Sequence, residues 1–131
     1  MRELLLAALC ACGQHEEPKA APAPKLDKLT FAAPDWTSNY DAASDEWALS
    51  SPAGSIRIAH APSGSVASPE AFQHARGATT PIENRKNVRD GFTFTTMKTT
   101  YVVRHLKQGW LTCESAAEDR ELVIAICKSV Y

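Results

Sequence analysis

The sequence predicts an α+β domain: an antiparallel sheet with one short helix and a C-terminal helix packed on it. Three observations carry this. Alternating or β-rich runs recur between Glu46 and Cys113, separated by turn signals. One short segment carries a complete set of helix start and stop residues. The closing segment gathers its apolar side chains on one helical face. Strands, helix, strands, helix is the order of helices laid on an antiparallel sheet.

Leu29-Thr30-Phe31 reads as a short opening strand, ended by Pro34, with Trp36 and Tyr40 in a following loop. Glu46–Ser50 reads as a strand with Trp47 and Leu49 on one face. Pro52-Ala53-Gly54-Ser55 turns the chain, and Ile56–Ala61 alternates so that Ile56, Ile58 and His60 share a side. The two runs form a hairpin. Ser68 is an N-cap residue type, Pro69 suits the first helical position and Gly77 suits a left-handed C-terminal stop. Residues 69–76 therefore form a short helix, with Phe72 and either Ala75 or Ala71 inward.

Thr79–Asn87 reads as a polar, basic loop, and Asp90-Gly91 as a turn. Phe92–Thr96 is a strand with Phe92 and Phe94 on one face. Thr99–Leu106 follows, with Tyr101, Val103 and His105 opposite Val102 and Leu106. Gln108-Gly109 turns into Trp110–Cys113, where Leu111 and Cys113 share a face. The last segment carries two signals. Its β-branched residues favour a strand. Against that, Ser115-Ala116-Ala117-Glu118 has the capping-box pattern, and Leu122, Val123, Ile126, Cys127 and Val130 share one helical face. Acids at Glu118, Asp119 and Glu121 and a base at Lys128 suit the macrodipole. The expectation is a helix whose Cys127 reaches Cys113.

The N-terminus carries a different message. Arg2, the apolar run Leu4–Ala11 and a small residue directly before Cys12 resemble a bacterial lipoprotein signal. Eight apolar residues are too few to span a bilayer. Cys10 is the competing acceptor, but the Leu9 before it fits a small-residue cleavage site badly. The resemblance implies removal of residues 1–11, acylation of Cys12 and a membrane anchor. Gly13, where an Asp would favour inner-membrane retention, implies the outer membrane, facing the periplasm or the cell surface. Residues 12–28 then form the lipidated cysteine and a flexible tether, since residues 13–28 hold three prolines and no aromatic. Residues 29–131 form a single domain.

Of the four cysteines, Cys10 leaves with the signal and Cys12 takes lipid, so Cys113 and Cys127 remain as an even pair. Outside the cytoplasm such a pair reads as a disulfide. Closing that loop contributes roughly 3 kcal/mol by restricting the unfolded chain.

Phe31-Ala-Ala-Pro-Asp-Trp36, Trp47-Ala-Leu in a hairpin, the helix Ser-Pro-Glu-Ala-Phe, long strands and a final helix ending near Ser129 resemble the PsbP-like sandwich. That fold also occurs in small bacterial lipoproteins and secretion accessory proteins. The resemblance covers residues 29–131 and implies the fold; it carries no catalytic residue over.

Fourteen Lys/Arg against fifteen Asp/Glu leave a net charge of −1. That balance excludes a dedicated nucleic-acid binder. Residues 29–50 hold Asp35, Asp41, Asp45 and Glu46 and no base, whereas residues 56–110 hold eight basic and three acidic side chains. Interspersed solvated surface is the simpler reading of such runs. Arg85, Lys86 and Arg89 form the densest basic cluster, and they are the candidate partner-binding residues.

No sequence motif supports catalysis, a metal or a cofactor. His15, His60, His74 and His105 are scattered, and no HExxH, CxxC, GxSxG or phosphate-binding glycine loop occurs. His60 and His105 read as sheet residues rather than ligands. Asp41, Asp45 and Glu46 could pair as catalytic carboxylates, but acids at a strand start are ordinarily solvated. Trp36, Trp47 and Trp110 could line a groove, although core packing explains them as well. The expectation is a lipid-anchored binding protein of the envelope, such as an accessory or immunity lipoprotein recognising a secreted protein. The alternative is a structural lipoprotein contacting peptidoglycan or an outer-membrane assembly. Neither reading makes the chain an enzyme.

Overall fold

Alternation decides most of this chain. A computed structural model describes residues 24–62 and 68–131. It contains β1 (Thr37–Asp41), β2 (Glu46–Ser51), β3 (Gly54–His60), α1 (Pro69–Arg76), β4 (Glu83–Val88), β5 (Gly91–Thr96), β6 (Thr99–Leu106), β7 (Gly109–Ser115) and α2 (Arg120–Lys128). The strands form one antiparallel seven-stranded sheet in the order β1-β2-β3-β7-β6-β5-β4. It is built from two meanders, β1–β3 and β4–β7. The connection through α1 carries the chain from mid-sheet to the far edge, so the second meander returns to lay β7 against β3.

Because side chains alternate along β6, Val102 faces one side of the sheet and Tyr101 and Val103 face the other. Each side has its own core. On the first, Leu49, Ile56, Ile58, Val102, Leu111 and Cys113 pack against Val123, Ile126 and Cys127 of α2 and Val130 just after it. On the second, Phe92, Phe94, Tyr101 and Val103 pack against Phe72 of α1. The second core is aromatic: Phe72 meets Phe94 edge-on at 5.8 Å, and Phe94 stacks on Tyr101 at 5.1 Å. The Arg76 guanidinium lies 4.8 Å above the Tyr101 ring. One helix thus covers each face of an α+β domain.

α1 runs over Pro69–Arg76, as its signals require. Ser68 Oγ accepts from Ala71 N–H, and Gly77 sits at φ 72°. Phe72 is buried, but its inward companion is Gln73, not Ala75 or Ala71. Gln73 donates to the Thr80 carbonyl and hydroxyl at 3.1 Å each and accepts from Arg76, so the buried amide is satisfied. Gly91 opens β5 where a side chain would collide with the Val103 carbonyl, so only glycine fits.

Five expectations are corrected. Leu29-Thr30-Phe31 is not a strand. Instead Thr30 exchanges two backbone bonds with Tyr131, at 3.0 and 2.8 Å, clipping the segment to the end of the chain. The packed domain also reaches back before residue 29: Leu26 is fully buried, so the last part of the expected tether belongs to the fold. Tyr40 lies in strand β1, not in a loop. Most of the expected loop Thr79–Asn87 belongs to strand β4, Glu83–Val88, because pairing with β5 outweighs a polar sequence. Finally, Ser115 ends β7 rather than capping a helix. The N-cap of α2 is Asp119, which accepts from Leu122 N–H at 3.1 Å. Leu122, expected on the inward face, is 36% exposed, while Val123, Ile126 and Cys127 are buried.

Candidate functional site

The candidate residues from the sequence lie at three places. Cys12 is outside the described residues. Cys113 on β7 and Cys127 on α2 have their sulfur atoms at disulfide distance and their Cα atoms 5.9 Å apart, the usual disulfide separation. They join the centre of the sheet to the helix that covers it.

Arg85, Lys86 and Arg89 do not converge. Arg85 lies on the α1 side of β4 and pairs with Glu70 of α1. Lys86 is its neighbour in a strand, so it points the other way, opposite Thr93. Arg89 lies in the turn to β5, at the mouth of a hollow of about 600 Å³ that Arg104, Gln108 and Lys128 also line. The Arg104 guanidinium is fully engaged there. It holds both oxygens of Asp90 at 2.9 Å and donates to the carbonyls of Cys127, Lys128 and Val130, closing the C-terminal end of α2. Those donors hold the Asp90 carboxyl below the usual carboxylate range, and its partial burial opposes them.

The acids of residues 41–46 part company as well. Asp41 accepts from Ala43 N–H within its own turn. Glu46 faces the α1 side and accepts two bonds from Arg57, at 3.0 and 2.7 Å, and Glu114 joins that guanidinium at 3.2 Å. Asp45 faces inward and becomes the hub of a cluster that the sequence does not announce. One oxygen accepts from Tyr40 Oη at 2.5 Å and from Leu26 N–H at 2.9 Å; the other lies 2.8 Å from His60 Nε2. Trp47 Nε1 closes the ring by donating to the Leu26 carbonyl at 2.7 Å. Burial pushes the Asp45 carboxyl up, but the bonds from Tyr40, Leu26 and His60 outweigh it and hold it low. The same bond to Asp45 pushes the Tyr40 phenol up to about 12. Asp45 itself sits at φ 56°, a conformation that Asp tolerates better than most residues. The hub explains His60 as a paired sheet residue, and it fixes the N-terminal segment against β1 and β2. His105 is exposed and stacks on Trp110 at 4.7 Å.

Trp47 is a packing residue, between Phe31 at 5.2 Å and Tyr40 at 5.3 Å. Trp36 behaves differently. It precedes β1 and lines an apolar groove of about 520 Å³ with Pro34, Pro52, Leu122 and Ala125. The outward turn of Leu122 places it in that groove. Beside the groove, β1 is an edge strand with a continuous register to β2 from Thr37 to Asp41. The opposite edge, β4, is irregular: its register shifts between Glu83 and Lys86, and Asn84 sits at φ 53°. Asp41 and the basic cluster therefore lie at opposite edges of the sheet, while Arg57 interleaves with Glu46 and Glu114 between them.

Among the described residues, no three His, Cys, Asp or Glu side chains come together as a metal site. No helix among them is long and apolar enough to cross a membrane. No family model, curated protein or solved structure matches this chain.

Proposed function

We propose that this chain is a lipid-anchored binding protein of the bacterial envelope, and that its folded domain recognises an exported protein at the β1 edge. The observation that carries the reading is the pairing of an unbulged edge strand with an apolar groove. Protein–protein sites join apolar anchors to open hydrogen-bonding groups. The Asp45 hub adds to it by holding the far end of β1 in place, and a preordered surface loses less entropy on binding.

The anchor part of the proposal rests on the sequence around Cys12. The stretch between Cys12 and Leu26 spans at most roughly 50 Å, which sets the reach of the domain from an outer-membrane leaflet. A disulfide between Cys113 and Cys127 suits an oxidising compartment. One helix on each face of an antiparallel sheet supports the PsbP-like assignment.

The test is made on the full chain expressed in a Gram-negative host. Intact mass of the membrane fraction is expected to show acyl chains on Cys12 and the loss of two protons at Cys113 and Cys127. Cys12→Ser is expected to move the protein into the soluble fraction. A photo-crosslinker at Asn39 is expected to capture an exported protein that the same group at Lys86 does not. Equal partitioning of wild type and Cys12→Ser overturns the anchor. Equal capture from both edges, or capture from neither, overturns the binding reading.

A further inference from the structure

We infer that the corner where β1 begins receives an extended segment of the partner in which apolar residues are flanked by lysine or arginine. This rests on the binding reading above and specifies the chemistry of what is bound. Three features meet at that corner.

The first is apolar. Leu122 is one of three large hydrophobic side chains exposed among the described residues, and it lies over the groove walled by Pro34, Trp36, Pro52 and Ala125. Its volume, about 520 Å³, is that of a small-ligand cleft and admits a few side chains.

The second is charge. Asp35 lines the groove and Glu121 adjoins Leu122, with its side chain 82% exposed. Glu118 and Asp119 line the next hollow, which shares Pro52 and Ala53 with the groove. Arg120 is the cation of that helical turn. It lines, with Glu83 and Lys98, a third hollow that adjoins the second through Glu118, and its contact with Glu121 is long, at 3.9 Å. Lys25 and Lys28 flank Leu26, at the far end of β1, where Asp45 holds that segment. The groove end is thus an apolar slot with an acidic rim, which selects against acidic segments and speeds encounter with basic ones.

The third is backbone. Thr37–Asp41 offers roughly 17 Å of strand with one side unpaired among the described residues. It carries no proline, lysine or bulge, the usual guards of an edge. A segment adding beside β1 gains main-chain hydrogen bonds for affinity, and its side chains reach the groove for selectivity.

The experiment titrates the isotope-labelled full chain with an acetylated Lys-Leu-Lys-Val-Lys-Leu-Lys peptide and follows backbone amide shifts. Saturable shifts are expected in residues 34–40 and 121–126, with little change in β4. Leu122→Asp, at an exposed position, is expected to weaken binding about tenfold. Asp35→Lys is expected to weaken it roughly threefold, with the loss shrinking at high salt. A peptide with Glu for each Lys, or Gly for each apolar residue, is expected not to bind. Shifts centred on β4, or unchanged affinity in Leu122→Asp, overturn the inference. So does failure of the peptide to bind while the Asn39 crosslinker still captures an exported protein, and that outcome leaves the binding reading standing.

Discussion

At one edge of the sheet, β1 runs five residues in continuous register beside Asp35 and Asp41. At the other edge, β4 breaks register after Glu83, twists through Asn84 at φ 53° and carries Arg85 and Lys86. Both are terminal strands of one hydrogen-bonded surface, so both face the same hazard of adding a foreign strand. β4 carries a bulge and cations against it, and Arg85 ties it to Glu70 of α1. β1 carries neither. Its support lies behind it, in the hydrogen bonds that Asp45 gathers from Tyr40, Leu26 and His60. An edge that is stiffened from behind and, among the described residues, left open in front is arranged for pairing. An edge that is bulged and charged is arranged against it.

Removing the support behind β1 is the strongest way to break this contrast. Asp45→Ala strands the Leu26 N–H and the Tyr40 hydroxyl, and places alanine at a positive φ. A loss of roughly 2–3 kcal/mol in urea unfolding is expected. Asp45→Asn, which keeps an acceptor and tolerates the backbone, is expected to lose roughly 1 kcal/mol. Lys86→Ala on the other edge is expected to stay within about 0.5 kcal/mol. Equal losses at the two edges would erase the distinction. The pH dependence follows from the sign of the shift. Because the folded state holds the Asp45 carboxyl low, its contribution is present above the ordinary value of 3.8 and drains as pH falls through the lower folded value.

Tyr40 sharpens the same point from the alkaline side. Its phenol is pushed from 10.0 up to about 12, first by the hydrogen bond it donates to Asp45. A group raised on folding stabilises fully below its unfolded pKa and loses that contribution as pH rises through the folded one. Ultraviolet titration of wild type against Tyr40→Phe is therefore expected to remove a transition near pH 12. Removal of a transition near pH 10 instead would mean that the hydroxyl is free and the hub loose.

The sequence shows clearly what depends on local chemistry. Ser68, Pro69 and Gly77 set α1 to the residue, and the alternation of Phe92, Phe94, Tyr101 and Val103 set the aromatic core. It hides what depends on partners distant along the chain. β1 has one inward residue, Tyr40, and β4 has almost none, so neither shows an apolar period; each is a strand because a neighbour pairs with it. The Asp45 hub joins residues 26, 40, 45 and 60 through a hairpin whose register no local pattern reveals. The groove is hidden for a related reason. Leu122 belongs to the apolar helical stripe of Val123, Ile126 and Cys127 in the sequence, but it lies at the margin of that stripe and lines the slot beside Trp36. The even pair Cys113 and Cys127 was legible because counting cysteines needs no geometry.

The smallest expected effect bears most directly on function. Arg85, Lys86 and Arg89 are the densest basic cluster in the chain, and their density in sequence suggests a binding face. In the sheet they diverge: Arg85 toward α1, Lys86 to the opposite face, Arg89 into the turn. Divergent charges on a bulged edge keep strands away more readily than they hold a ligand. The triple change to alanine is therefore expected to leave stability within about 0.5 kcal/mol and binding of the Lys-Leu peptide unchanged. Its effect should appear at high protein concentration, as increased self-association by light scattering, because the guard on β4 is gone. If the triple variant instead loses the exported partner and stays monomeric, recognition belongs to the basic edge, and the acidic corner at β1 is the solvated one.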